Sequence, residues 1–379
     1  MKETIRLALW KIIDGLVQLF PKGGDGKKVA IIRLDELGDY VLFRNALLAL
    51  QQTLEISGNH RLTLIGNAAW KNLYDSAGSS ALSEVFWVDK RRFSKRPRYR
   101  FQTLLQIRSQ GFDVIADPHF TRQPELDLAI VRASGAPQKV GFRVNDATDS
   151  LFTELIPANL PSSTFEYFRN LDFVQKAFGV PAENILSFRS LSPSGPPPPG
   201  IPQTPFLALF PGSGKADKKW PPESFAEIVR RCQQHFGLKT VLLGSPADRT
   251  DAEALMRFDL EGMENQTGKT TLTESLHFIK AATAVLSVDT GSVHLAAALG
   301  TPVVALYSGK HYGRFAPYPP EITPDFITLY SPEVQQMIAA GDPRLQEETA
   351  MPNERIRDIS VEVVWEALKC VLERKFALL

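Results

Sequence analysis

A net charge of +1 over 379 residues excludes a globally basic nucleic-acid binder, and the length suggests about two domains. Apolar residues at 44% and charged residues at 22% fit an ordinary soluble globular chain rather than a disordered one. Only Cys232 and Cys370 are present, far apart, so neither a disulfide framework nor a cysteine metal site is expected, and the compartment is read as reducing and cytoplasmic.

Residues 1–20 come nearest to a membrane span, but Lys11 and Asp14 interrupt them. Ile5, Leu9, Ile12, Ile13, Leu16, Val17 and Phe20 cover most of a helix, with Glu3, Lys11, Asp14 and Gln18 on the remaining face. That pattern predicts an amphipathic helix, packed on the domain or attached to a membrane surface, with a signal peptide as the lesser alternative. The turn-rich PKGGDGKK closes this extension, residues 1–27. A buried strand (29–34) and a helix from about Asp39 to Leu54 follow, and strands are read at 61–66, 84–88 and 113–117 with helical stretches between. Short apolar runs alternating with helices argue for a parallel sheet covered on both faces. The proline run SPSGPPPPGIPQTP at 192–205 can continue neither helix nor sheet and is read as a linker, so the first domain spans 28–191. A second series begins beyond it, with strands at 206–210, 239–244, 284–289 and 302–307; this domain spans 206–359, its stretch from 308 onward rich in loops. A last helix within 360–379 is expected to pack back on the first domain. The fold class is therefore α/β, two Rossmann-like domains facing a central cleft, with ligands at the carboxyl ends of the strands.

Three segments carry chemistry. In AVLSVDTGSVHLAAALGTPVVALYSG (284–309) a buried strand ends at Asp289, and Thr290, Gly291 and Ser292 open a helix that stops at Gly300. Small residues there leave N–H groups open to an anion such as a diphosphate; the plainer alternative is a capped turn. His294, one turn in, either faces that site or is a hydrogen-bonded packing histidine. FPGSGKADKKWPPESFAEIV (210–229) brings Gly212, Ser213, Gly214, Lys215, Lys218 and Lys219 into one loop, a phosphate-binding loop or else a solvated basic one. RLDELGDYVLF (33–43) places Asp35, Glu36 and Asp39 at a strand end; Asp39 is a helix cap or a general base. TGKTT (267–271) resembles the end of a P-loop, but Met263 stands where the first glycine is required. No histidines are paired at helical ligand spacing and no two aspartates are separated by one residue, so no metal and no cofactor is expected. Between residues 90 and 112 eight cations occur without an acid; Arg91, Arg92, Lys95 and Arg96 are the candidates for an anionic acceptor or lipid headgroups, against a solvated face, and nucleic acid is not expected as a partner.

These three segments in this order resemble the lipopolysaccharide heptosyltransferase family, glycosyltransferase family 9. The firmest parts are LGDYV, GSGKADKKWPPESF and SVDTGSVHLAAALGTPVVALY, and the resemblance covers roughly residues 28–376. It implies a GT-B fold and an inverting, metal-independent transfer of a sugar, heptose above others, from a nucleoside-diphosphate sugar such as ADP-heptose. The acceptor implied is a lipopolysaccharide core or related glycolipid, at the cytoplasmic face of a bacterial inner membrane. By the resemblance Asp39 is the catalytic base, Lys218 contacts the donor's phosphate or sugar, Asp289 lies near the donor sugar, and Thr290 and Gly291 offer amides to the diphosphate. Ser213, Gly214 and His294 complete the expected donor site, with Asp248 as the candidate for the ribose. Two departures stand out: about 27 residues precede the first strand, and the loop 308–325 does not align. A sugar-nucleotide epimerase of the same fold and a non-catalytic sugar-nucleotide-binding or scaffold protein are the competing readings.

Overall fold

The computed structural model describes residues 2–24, 28–58, 61–76, 84–161, 163–346 and 356–377. The chain divides into two compact units, Met1–Asp75 with Ser79–Leu160 and Tyr167–Leu186, and Ser76–Gly78 with Pro161–Glu166 and Ser187–Leu379.

The first unit holds a parallel sheet of β1 (Lys28–Arg33), β2 (Arg61–Asn67), β3 (Glu84–Val88), β4 (Val114–Asp117), β5 (Gln138–Arg143) and β6 (Glu154–Pro157). Their order is β3-β2-β1-β4-β5-β6. The second holds β7 (Phe206–Phe210), β8 (Lys239–Leu242), β9 (Met263–Asn265), β10 (Ala284–Val288), β11 (Val303–Leu306) and β12 (Phe326–Leu329), ordered β12-β11-β10-β7-β8-β9 and again parallel throughout. The two orders are the same topology. In each, the strand order reverses beside the unit's first strand, between β1 and β4 and between β7 and β10, and such a reversal opens a crevice at the strands' carboxyl ends. The central strands are buried along their length, as helices on both faces require, which is why their sequences read as unbroken apolar runs.

The expected strands are present, and four more join them. β6 and β12 are partly exposed edge strands of four residues and β9 has three residues, too short for an apolar run to stand out. β5 exposes both its ends. The stretch after 308 also carries the helix Pro332–Ala340.

The helix Lys2–Val17 packs on the first unit through Trp10, Ile13 and Val17. Asp14 fixes its rotation by accepting two hydrogen bonds from the buried Arg100, at 2.7 and 2.6 Å.

The C-terminal helix Val361–Phe376 departs from expectation. It lies in the core of the second unit, where Trp365, Leu368, Val371 and Leu372 meet Phe225, Ile228, Val229 and Cys232. Arg231 ties it to the helix Pro222–Phe236 through both oxygens of Glu362, at 2.8 and 2.7 Å. A long apolar face finds its partner in three dimensions, and its place at the end of the sequence says nothing of which core it completes. Burying each leucine there contributes about 1.5–3 kcal/mol. The linker also differs: the division between units falls at Leu186/Ser187, and the proline run belongs to the second unit. The residues just before the run are docked on the helix Gly291–Leu299, where Leu191 N–H donates to Ala298 and Arg189 to the Gly300 carbonyl. Residues 161–166 belong there too, since Glu166 accepts from Arg314 Nε at 2.8 Å.

Candidate functional site

In the second unit Asp289 directly follows β10, and Thr290, in extended conformation, is the N-cap of the helix Gly291–Leu299. The Thr290 hydroxyl makes no cap; it joins Ser292 Oγ at 2.7 Å, which in turn meets Ser287 Oγ at 2.8 Å. The hydroxyls thus bond one another, and the first-turn N–H groups of a helix have no intrahelical partners, so this end is suited to an anion. β7 lies next to β10, and the loop after it turns through Ala216–Lys218. Trp220 anchors that loop, buried and donating to the Ile359 carbonyl at 2.9 Å. Lys218 Nζ consequently lies 2.5 Å from Asp289 Oδ2.

The three loop lysines do not converge. Lys218 meets Asp289, whereas Lys219 is drawn to Asp251 at 2.7 Å and Lys215 is exposed. Ser213 is buried, and its Oγ accepts from the Lys215 amide at 3.2 Å. Gly212 is demanded by packing, because a Cβ there would stand 2.4 Å from the Asp248 side chain; Gly214 has nothing within 4 Å of that position. Asp248 does reach the end of β7, but its carboxylate caps a turn, accepting from Ser245 N–H and Oγ at 2.8 and 2.7 Å.

Of the two readings of His294, the structure supports packing. Its Nδ1 lies 2.5 Å from the Tyr318 hydroxyl, and its ring packs with Tyr318 and Phe315. Burial, reinforced by the charge on Lys218, depresses its pKa to about 3, so the ring is neutral. Two residues that sequence reasoning missed stand nearby. Tyr307 directly follows β11 and Tyr330 directly follows β12, so they extend the row of strand ends begun by Asp289. Among the described residues neither hydroxyl has a hydrogen-bond partner, although both are buried. Burial and the Asp289 charge raise the pKa of each well above the ordinary value. The signal available was a tyrosine closing an apolar strand run, in PVVALY and FITLY.

The corresponding end of the first sheet is acidic. β1 runs into Asp35 and Glu36, and the helix Leu37–Ser57 begins with a capping box: the Glu36 side chain accepts the Asp39 amide, and Asp39 Oδ2 accepts the Glu36 amide at 3.2 Å. Asp39 therefore does cap its helix, with its carboxylate oriented by the loop. The loop is held on several sides. Asn67 and Trp70 Nε1 donate to the Asp35 carbonyl at 2.9 and 3.2 Å, Arg33 pairs with the Asp35 carboxylate at 2.9 Å, and Lys90 meets Glu36 at 2.8 Å. Glu36, Asn67, Asp89, Lys90 and Arg91 line a groove beside it.

From β4, next to β1, comes a cluster unseen in the sequence: Asp117, His119 and, at the start of the helix Asp127–Ser134, Asp127. His119 Nδ1 lies 2.5 Å from Asp117 and 3.7 Å from Asp127, while Nε2 lies 3.6 Å from Asp35. Burial alone would lower the histidine's pKa, but Asp117, Asp35 and Asp127 overcome it and push the pKa up to about 9. The Leu34 amide donates to Nε2 at 3.4 Å, while Nδ1 faces Asp117. Asp127 is shifted upward by its own burial and by Asp117. Asp117, His119 and Asp127 offer ligand atoms within 4.8 Å of one another and could take a cation, which would displace the proton now shared with Asp117.

The basic stretch is not one patch. Arg100 is buried against Asp14 and between the rings of Trp10 and Phe93, and Arg108 donates to the carbonyls of Phe20, Gln18 and Ala133. Arg91, Arg92, Lys95, Arg96 and Arg98 remain exposed.

Comparison with known proteins agrees with this architecture. The sequence model of glycosyltransferase family 9 (heptosyltransferase) matches residues 106–336. The chain is 30% identical over 169 residues to lipopolysaccharide core heptosyltransferase OpsX of Haemophilus influenzae, covering 43% of this chain and 47% of that protein. It is 33% identical over 128 residues to lipopolysaccharide heptosyltransferase 2 of Escherichia coli, covering 32% and 34%. The matched region thus spans about half and about a third of these curated relatives. Among solved structures, a family 9 glycosyl transferase from Veillonella parvula superposes with a TM-score of 0.68 at 19% identity, covering 92% of this chain and 98% of that one. The E. coli heptosyltransferase WaaC with ADP superposes with a TM-score of 0.65 at 16% identity, covering 93% and 100%.

Proposed function

Since the chain belongs to glycosyltransferase family 9 (heptosyltransferase), we propose that it transfers a sugar, heptose above others, from a nucleoside-diphosphate sugar to a lipopolysaccharide-core or related glycolipid acceptor. The observation that carries the reading is the pairing of Lys218 with Asp289 at the β7/β10 reversal, beside the start of the helix Gly291–Leu299. A donor diphosphate competes with Asp289 for Lys218 and takes the first-turn amides, so the cation is held in place before the donor arrives. ADP-heptose is the donor we favour, in keeping with the ADP named with WaaC.

The chemistry proposed inverts the anomeric centre in one displacement and uses no metal. An acceptor hydroxyl oxygen attacks the anomeric carbon, the bond from that carbon to the diphosphate oxygen breaks, and Asp39 takes the hydroxyl proton. Lys218 and the amides at Thr290 and Gly291 stabilise the charge growing on the departing diphosphate. Ser213 and Gly214 border the donor, and Asp289 approaches the sugar. Asp248, engaged in its cap, reaches the ribose only if Ser245 releases it. His294 contributes a neutral, packed wall. Arg91 and the groove beside Glu36 are proposed for the acceptor, whose lipid puts the reaction at the cytoplasmic face of the inner membrane.

The test is transfer itself. Incubation with ADP-heptose and heptose-deficient lipopolysaccharide should release ADP and extend the acceptor, and ADP alone should raise the melting temperature by mass action. Absence of both with every nucleoside-diphosphate sugar supplied would overturn the reading.

A further inference from the structure

The rotation of the helix Lys2–Val17 is fixed, because Trp10, Ile13 and Val17 are buried and Asp14 is held by Arg100. That leaves Leu9, Ile12 and Leu16 outward, at 39%, 61% and 46% exposure, and Leu19 and Phe20 just beyond the helix end at 79% and 43%. Positions 9, 12 and 16 follow helical spacing, so they form one stripe. Of the nine large hydrophobic residues exposed among the described residues, five lie in this short segment. The apolar surface is therefore concentrated there rather than scattered.

The stripe has a cationic neighbour. Phe20 meets Phe101 edge-on at 5.8 Å, and Phe101 is one turn from Arg98 on the helix Pro97–Ser109. Lys95, Arg96 and Arg98 are exposed there. Arg96 is that helix's N-cap and Arg98 lies in its first turn, where no acid is present. Positive charge at a helix N-terminus opposes the dipole and costs stability, so an anionic partner would relieve it. Nearby acids are already engaged: Asp14 by Arg100, and Glu125 near Arg6 at 3.9 Å.

We propose that this face, the stripe Leu9–Ile12–Leu16 with Leu19 and Phe20 and the adjoining Lys95, Arg96 and Arg98, docks the protein on an anionic lipid bilayer. The helix lies in the plane of the interface, its outer side among the acyl chains and the cations over the headgroups. The exposed apolar stripe and the adjoining positive charge together match a bilayer surface. The inference rests on the proposed glycolipid acceptor only for why a bilayer is at hand.

The full chain should float with phosphatidylglycerol-containing vesicles that carry no glycolipid, should float much less with phosphatidylcholine vesicles, and should be released by salt. The variant Lys95→Gln/Arg96→Gln/Arg98→Gln should lose about a hundredfold in vesicle affinity, at about fivefold per cation near an anionic surface. The variant Leu9→Gln/Ile12→Gln/Leu16→Gln should lose tenfold or more while keeping the wild-type melting temperature, since these side chains support no core. An unchanged rise in melting temperature with ADP would show each variant's donor site intact. If wild type fails to float with anionic vesicles, or both variants float as wild type does, the docking face is refuted and the transfer reading stands. If vesicles bind as described but neither ADP binding nor transfer is found, the transfer reading fails and the docking face stands.

Discussion

The two sheets share one topology, and each places charged groups where its strand order reverses, yet the two places are built oppositely. At β1/β4 a histidine lies among carboxylates, with Asp117, Asp127 and Asp35 around His119. At β7/β10 a histidine lies among aromatic rings within the field of a lysine. The residue type is the same and the surroundings are not: carboxylates push the pKa of His119 up to about 9, whereas burial and Lys218 hold that of His294 near 3. The topology supplies a crevice, and the neighbours decide whether it receives a proton or an anion. An acid-rich end suits removal of a hydroxyl proton, and a lysine beside a helix start suits a departing diphosphate.

The sharpest way to break the comparison is to remove one function at a time. Asp39→Ala should lower transfer by about 10²–10⁴-fold, the usual worth of a general base, while ADP still raises the melting temperature. Lys218→Ala should lower transfer by about 10²–10³-fold and also diminish that ADP-dependent rise. Transfer kinetics beside thermal shift measure both. Loss of ADP binding in the Asp39 variant, or its retention in the Lys218 variant, would mean the tasks are not divided as proposed.

The histidines come next. His119→Leu leaves the buried carboxylates of Asp117 and Asp127 without the ring that faces them and should cost about 3–5 kcal/mol in denaturant unfolding. His294→Leu removes one hydrogen bond to Tyr318 from a neutral setting and should cost about 1–3 kcal/mol. Equal costs would contradict the difference in surroundings.

The same pair should separate in pH. A raised histidine pKa gives stability that is fully present below the ordinary value of 6.5 and is lost as pH rises through about 9. Asp127, also raised, acts in the same sense from the lower carboxylate range upward. A depressed histidine pKa works the other way: the contribution of His294 is present above 6.5 and is lost as pH falls toward about 3. Unfolding free energy measured across pH should therefore lose its alkaline decline, on the order of a few kcal/mol, in His119→Leu. His294→Leu should flatten the acid side.

How much of this was legible follows from how local each signal is. Lys218, Asp289 and the helix start lie within two short segments whose small residues, lysines and apolar runs are contiguous, and the loop carrying Asp39 is equally compact. The environment of His119 is assembled from Asp35, Asp117 and Asp127, which come from three elements, so no spacing in the chain announces it. The C-terminal helix and the docked segment before the proline run failed for a related reason: their partners are chosen by tertiary packing, whereas proline content and chain order report only local stiffness.

The smallest effect concerns Tyr307 and Tyr330, whose hydroxyls continue the row from Asp289. A buried hydroxyl without a partner contributes nothing to folding, so Tyr307→Phe and Tyr330→Phe should leave stability unchanged or slightly raised. If these hydroxyls meet the donor, each replacement removes one hydrogen bond from the complex, about 0.5–1.5 kcal/mol, or up to about tenfold in affinity. Calorimetric titration with ADP and with the nucleotide-sugar would place the contact. Weakening of both ligands puts the hydroxyls at the shared nucleoside diphosphate, and weakening of the nucleotide-sugar alone puts them at the sugar. Affinities equal to wild type for both would confine the donor to the Lys218 side of Asp289 and narrow the anion-binding end of the comparison to β7 and β10.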